Sequence, residues 1–194
     1  MSPGIAIIGL WLLWLVSWLI AALWSRPAEK HVDIARMLRY RIPMLLGTLL
    51  LIPQAHGYEG ALRLWHVGWN GAWLCVVLVA AGIAFAWWAR IHLGVLWSGA
   101  VTRKTDHRIV DSGPYAIVRH PIYTGLLLSL LATSVAKGTL LAATGFALLA
   151  FGIVLKARLE ERWLSAELDP GAYAAYRQRV PMLIPFGPRD DRQG

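Results

Sequence analysis

The sequence has little cysteine and little charge. Only one of its 194 residues is cysteine, Cys75. A single thiol excludes a disulfide framework and a cysteine-built zinc site, and no metal is expected. Charged residues make up 15%, where an ordinary soluble domain carries about 25%. Acidic residues are the scarcer sign, with 11 Asp and Glu against 19 Lys and Arg and a formal charge of +8. Hydrophobic residues reach 57% and the mean hydropathy is +0.52. These proportions exclude a disordered chain, a collagen-like chain and an ordinary soluble globule. The glycine-rich dinucleotide fingerprint is also missing, and too few residues lie outside apolar runs to build a doubly wound sheet. No RNA- or DNA-binding motif accompanies the basic charge, so no nucleic-acid partner is expected.

The spacing of the charges says what the chain is. Five windows contain no Lys, Arg, Asp or Glu: 1–25, 42–58, 64–89, 120–136 and 138–155. A helix needs about 20 apolar residues to cross a bilayer core, within a range of roughly 17–25. Backbone polar groups in lipid must be satisfied within the segment, so such windows should be helices. The alternating pattern of a membrane barrel is absent. Window 1–25 has no positive n-region, and its apolar run from Gly4 to Trp24 is too long for a signal h-region. The expected fold is therefore all-α: an integral membrane protein with five transmembrane helices and further cytoplasmic helices. Residues 1–69 would supply N-terminal spans and an amphipathic linker, and residues 70–194 the functional core.

Basic residues gather in segments 26–41 and 90–119 and in the tail after Lys156; Arg63 and Lys137 alone fall in the alternate loops. Five spans with the N-terminus outside and the C-terminus inside place all three basic segments on the cytoplasmic face. Residues 26–41 read as an interfacial amphipathic helix, with Ile34, Met37 and Leu38 opposite Arg36, Arg39 and Arg41. Pro43 and Pro53 predict a short or kinked second span. Gly138, Gly145 and Gly152, seven residues apart, predict a seam for close helix approach. Trp11, Trp14 and Trp18 share one face of span 1 and predict lipid contact or packing. The Lys137-Gly138 turn predicts an antiparallel hairpin of spans 4 and 5. Asp169-Pro170-Gly171 should break the following helix, and a short helix around Tyr173 and Tyr176 should come next.

Polar residues cluster in two places. The first runs from Thr102 through Ser112-Gly113-Pro114-Tyr115 to Arg119-His120-Pro121-Ile122-Tyr123-Thr124-Gly125. Pro121 suits the first turn of span 4, and the free N–H groups of that turn favour an anionic ligand group. The second is Lys156-Ala157-Arg158-Leu159-Glu160-Glu161-Arg162 at the end of span 5. Folding the hairpin returns it beside His120. Singly, each motif also reads as a helix boundary, a turn or a solvated face.

Their order is more informative. The pattern S-G-P-Y-x(3)-R-H-P-x-Y-x-G, an apolar hairpin, E-E and then Y-x(2)-Y-x(3)-V-P-x(2)-I-P resembles the isoprenylcysteine carboxyl methyltransferase family. Here it is Ser112 to Gly125, Glu160-Glu161, Tyr173, Tyr176, Val180-Pro181 and Ile184-Pro185. Membrane phospholipid N-methyltransferases share R-H-P-x-Y and E-E. The resemblance implies S-adenosyl-L-methionine as methyl donor. Carried over position by position, its contacts would be His107, Arg108, Ile109, Val110, Tyr115, His120, Pro121, Ile122, Tyr123, Glu160 and Glu161. The helix start and His120 suit the donor's carboxylate, the acidic pair its cationic groups, and Tyr115, Ile109 and Val110 its adenine. The implied acceptor is lipophilic and reaches the site from the bilayer: the carboxylate of a prenylated cysteine, or alternatively a lipid amine. A carboxylate is ionised at neutral pH, with an ordinary pKa of about 3.5, and needs positioning rather than a base. Arg90, Arg158 and Arg162 are candidates to pair with an acidic acceptor group. No residue is assigned as catalytic.

Overall fold

In a computed structural model, the described residues are 1–23, 34–52, 62–94 and 109–189. Their regular structure is helical: α1 (Pro3–Ala22), α2 (Ile34–Leu51), α3 (Trp69–Leu93), α4 (Pro121–Lys137), α5 (Leu140–Glu167) and α6 (Pro170–Arg179), with a 3-10 turn at Gly113–Ala116. Of these, α1, α3 and α5 are long and apolar enough to cross a membrane. α4 is apolar but shorter, 17 residues, or about 26 Å at 1.5 Å per residue. α2 falls short on composition, because Arg36, Arg39 and Arg41 occupy its first turns.

α1 begins where its composition says it should. Ser2 accepts a hydrogen bond from Ile5 N–H at 3.4 Å, and Pro3 takes the first turn. Beyond that the helix is apolar on every side, with Leu12, Leu13, Val16, Leu19 and Ile20 exposed. A helix of that kind needs lipid around it. The Trp11, Trp14 and Trp18 stripe packs inward: Trp11 Nε1 donates to Thr133 Oγ1 at 3.0 Å, and Trp18 meets Trp87 edge-on at 5.3 Å between centroids.

The second helix differs from the sequence expectation. Residues 34–41 do not form an element separate from the span; one helix runs from Ile34 to Leu51, through Pro43. The reason is a continuous contact face. Tyr40, Met44, Gly47 and Leu51, three or four residues apart, all lie against α5. A backbone bond lost at one proline does not outweigh a seam that crosses it. Residues 26–33 and Pro53 lie outside the described residues.

Glycines set the helix spacing. A Cβ on Gly145 would sit 2.9 Å from Gly47 O, and one on Gly152 would sit 2.9 Å from Tyr40 O. The predicted seam is therefore real at Gly145 and Gly152, and it faces α2. A second close approach joins α3 to α4, where a Cβ on Gly82 would collide with Ser129 Oγ and Gly125 O. Ser129 Oγ lies 3.0 Å from both Val79 O and Gly125 O. Gly138 is no part of the seam. It ends α4 at φ +62°, a left-handed conformation in which its N–H reaches Ser134 O. Thr139 then caps α5 by accepting from Ala142 N–H at 3.2 Å.

The contacts fix the directions. Arg90 near the end of α3 donates to Ala21 O at the end of α1, so those helices run in parallel. Leu64 N–H bonds to Gly138 O, and Lys137 Nζ to Leu51 O, so the start of α3 and the ends of α2 and α4 share one end of the bundle. The opposite end gathers the beginning of α2, the ends of α1, α3 and α5, and the beginning of α4. The described basic residues of all three basic segments fall at that end.

Candidate functional site

The hairpin carries His120, the N-cap residue of α4, back to Glu160 and Glu161 in the last turns of α5. His120 Nε2 lies 2.8 Å from Glu161 Oε1, and His120 Nδ1 lies 3.5 Å from Glu160 Oε2. Both motifs meet because α4 starts at Pro121, whose ring fixes the first turn, and α5 is long enough to return past it. Tyr123, one turn into α4, donates its hydroxyl to Glu160 Oε1 at 2.6 Å. Its ring stacks on the imidazole at 5.6 Å between centroids.

Arg119 closes the other side. Its Nε donates to Glu161 Oε1 at 2.9 Å, and its Nη1 donates to Val180 O at 2.7 Å and Arg177 O at 2.9 Å. Arg177 Nε stands 3.3 Å from Glu161 Oε2. Lys156 Nζ is 3.9 Å from Glu160 Oε1 and lies over the rings of Tyr123 and Tyr40, at 5.3 and 5.9 Å. Arg119, His120 and Glu161 are all buried. Burial alone would lower the His120 pKa, but the hydrogen bonds with Glu160 and Glu161 and their negative charge hold it above its ordinary value. With His120 protonated, four cations face two carboxylates.

The tail forms part of the same block. α6 is capped by Asp169, which accepts from Ala172 N–H at 2.8 Å. Tyr173, Tyr176 and Val180 pack together, with Ile109, Leu164 and Leu168 against them. Tyr176 donates to Tyr115 O at 2.8 Å. Tyr115 is buried and stacks on His92, whose Nε2 is 2.9 Å from Ser112 Oγ. Burial pushes the phenols of Tyr115, Tyr173 and Tyr176 upward, so none of them ionises near neutral pH.

Of the residues singled out in the sequence, His120, Tyr123, Glu160 and Glu161 converge. Pro121 is buried beneath them, and Ile122 is half-buried in the same turn. Tyr115 and Ile109 stand at the tail side, and Val110 is half-buried next to Ile109. Arg90 is buried and bonded to Ala21 O and Gly94 O, so it ties α1 to α3. Arg158 and Arg162, four residues apart on α5, are exposed on a face away from Ala157 and Glu161, which are buried. His107 and Arg108 lie outside the described residues. Sequence reasoning passed over Arg119, Lys156, Arg177 and Tyr40 as site residues. Arg119 had a signal, since it directly precedes His-Pro in the motif. Tyr40 had none, because only the α2–α5 seam brings it there.

These features define a class: a helical, membrane-type bundle with a buried charge cluster at the end of a helix hairpin. Residues 74–166 match the sequence model of the isoprenylcysteine carboxyl methyltransferase (ICMT) family. The chain is 32% identical over 123 residues to the cobalt-zinc-cadmium resistance protein CzcN of Cupriavidus metallidurans, covering 62% of this chain and 55% of CzcN. It is 24% identical over 155 residues to protein-S-isoprenylcysteine O-methyltransferase B of Arabidopsis thaliana, covering 76% of this chain and 74% of that protein. It is 46% identical over 85 residues to methanethiol S-methyltransferase 2 of Bradyrhizobium diazoefficiens, covering 41% of this chain and 31% of that enzyme. The chain thus spans about half the length of CzcN and less of the methanethiol enzyme.

Proposed function

We propose that the chain is an integral-membrane methyltransferase that uses S-adenosylmethionine to methylate a lipophilic acceptor. The observation that carries the reading is the meeting of His120 with Glu160 and Glu161 across the α4–α5 hairpin, within 2.8–3.5 Å. The matched family and the relatives named as methyltransferases support it.

The residues suit the donor's chemistry. When bound, S-adenosylmethionine supplies an electrophilic methyl group. The first turn of α4 has no side-chain cap, so its N–H groups, with protonated His120, suit the methionine carboxylate. Glu160 suits the ammonium; its Oε2 is 3.5 Å from its His120 neighbour, a loose contact. Glu161 instead has Arg119 and His120 on one oxygen and Arg177 near the other, and it orients that cluster. Tyr115, Ile109 and Val110 would face the adenine, with His107 and Arg108 as further contacts. A carboxylate acceptor needs only to be held and stripped of water. The excess of positive charge over the acidic pair favours an anionic acceptor over a lipid amine. A second reading, a thiolate acceptor, is favoured by the 46% identity to the methanethiol enzyme. Five spans with α4 and α2 as the shorter pair, the N-terminus outside and the site at the inner leaflet complete the proposal.

The test is methyl transfer to three acceptors by purified protein: a farnesylated cysteine analogue, phosphatidylethanolamine and a short alkyl thiol. Turnover of the first alone supports the leading reading. Turnover of the thiol alone supports the second. Turnover of none with S-adenosylmethionine present contradicts both.

A further inference from the structure

Residues 180–188, the tail after α6, read Val-Pro-Met-Leu-Ile-Pro-Phe-Gly-Pro. They contain no charge, and Arg179 and Arg189 flank them. Such a segment hanging in water would leave its carbonyls to solvent. Here five carbonyls in succession accept hydrogen bonds from the protein. Val180 O takes Arg119 Nη1 and Pro181 O takes Arg119 N–H. Met182 O takes His120 N–H, Leu183 O takes Thr124 Oγ1 at 2.6 Å, and Ile184 O takes Gly187 N–H. Pro181, Pro185 and Pro188 have no N–H to satisfy. With the Val180 and Gly187 N–H groups also bonded, much of this backbone is satisfied within the protein, as a water-poor surrounding favours.

The partners also give a direction. Pro181 lies beside Arg119, before α4 begins, and Leu183 lies beside Thr124, one turn inside it. The tail therefore descends along α4 toward the apolar part of the bundle. Leu183, at that contact, is buried, but Ile184 is 69% exposed and Phe186 94% exposed. Phe186 is also held at φ +60°, a left-handed conformation that a bulky residue rarely adopts. A fully exposed aromatic ring on a left-handed backbone, three residues past the contact of Leu183 with Thr124, is poorly suited to water.

We propose that residues 180–188 form a re-entrant wedge that inserts Ile184 and Phe186 into the acyl chains of the bilayer beside the first turns of α4. The flanking Arg179 and Arg189 stay at the headgroups, where they suit anionic lipid. The wedge is a lipid-facing surface and holds whether or not the methyl-transfer reading does.

Spin-label depth tests it. In a Cys75→Ala background, Phe186→Cys carries a nitroxide, with Ile184→Cys as a second site and Leu13→Cys in mid-α1 as the acyl standard. The full chain is placed in vesicles of phosphatidylcholine and phosphatidylglycerol. Collisions are measured with oxygen, which enters lipid, and with a water-soluble nickel chelate. The wedge predicts that both tail labels lose chelate accessibility to near the Leu13→Cys level and gain oxygen accessibility. Chelate accessibility nearer that of free nitroxide in buffer, at both sites, overturns the proposal.

Discussion

Arg119 is the residue on which most of the site's geometry turns. Its guanidinium holds Glu161 and two tail carbonyls, and its backbone N–H holds a third. Removing one partner of a buried pair costs about 3–5 kcal/mol when the other charge is left uncompensated, and here His120 and Arg177 still face Glu161. Arg119→Ala should therefore lower unfolding stability in detergent by less than that, with Arg119→Lys losing less still. Thermal denaturation followed by circular dichroism checks it; an unchanged midpoint would contradict the role. His120 gives a pH signature. Its pKa is held above the ordinary value, so its contribution to stability is complete below about pH 6.5 and is lost as pH rises through the folded value. The stability difference between the wild type and His120→Gln should shrink as pH is raised into the alkaline range. A difference that grows with pH would contradict a protonated imidazole.

Among elements, the pairing of α2 with α5 is the least expected from pattern and the most consequential. It brings Tyr40 to Lys156 and anchors the hairpin from outside. Gly145→Leu puts a side chain against Gly47 O and Leu50, and overpacking of this kind costs about 1–3 kcal/mol. Gly4→Leu, where a Cβ meets nothing within 4 Å, should leave the unfolding midpoint unchanged. Equal effects would contradict the seam.

Across the whole molecule, the charge-free windows made the helices legible, because lipid solvation and helix formation impose one simple rule on composition. The hairpin was legible from a two-residue turn, and the convergence of His120 with Glu160 and Glu161 followed from it. The junction inside α2 was not. Three arginines read as a separate interfacial helix and a proline as a short or kinked span, while the seam that joins them is a property of α5. The tail clamp was legible only as motif letters, since main-chain acceptors such as Val180 O have no sequence signature. Membrane sidedness has its own test in a Cys75→Ala background. With five spans, an impermeant thiol reagent should label His66→Cys and Ala116→Cys from opposite sides of sealed vesicles. Labelling from the same side would contradict that layout.

The central claim is that the charge cluster at the hairpin end holds the methyl donor. Calorimetry of purified protein with S-adenosylmethionine measures it most directly, alongside Glu160→Gln and the exposed-face variant Arg158→Gln. The account predicts binding by the wild type, a loss of about tenfold or more in affinity for Glu160→Gln, which corresponds to about 1.4 kcal/mol, and no loss for Arg158→Gln. No heat of binding to folded wild-type protein at millimolar ligand, or equal affinity in all three, would contradict it.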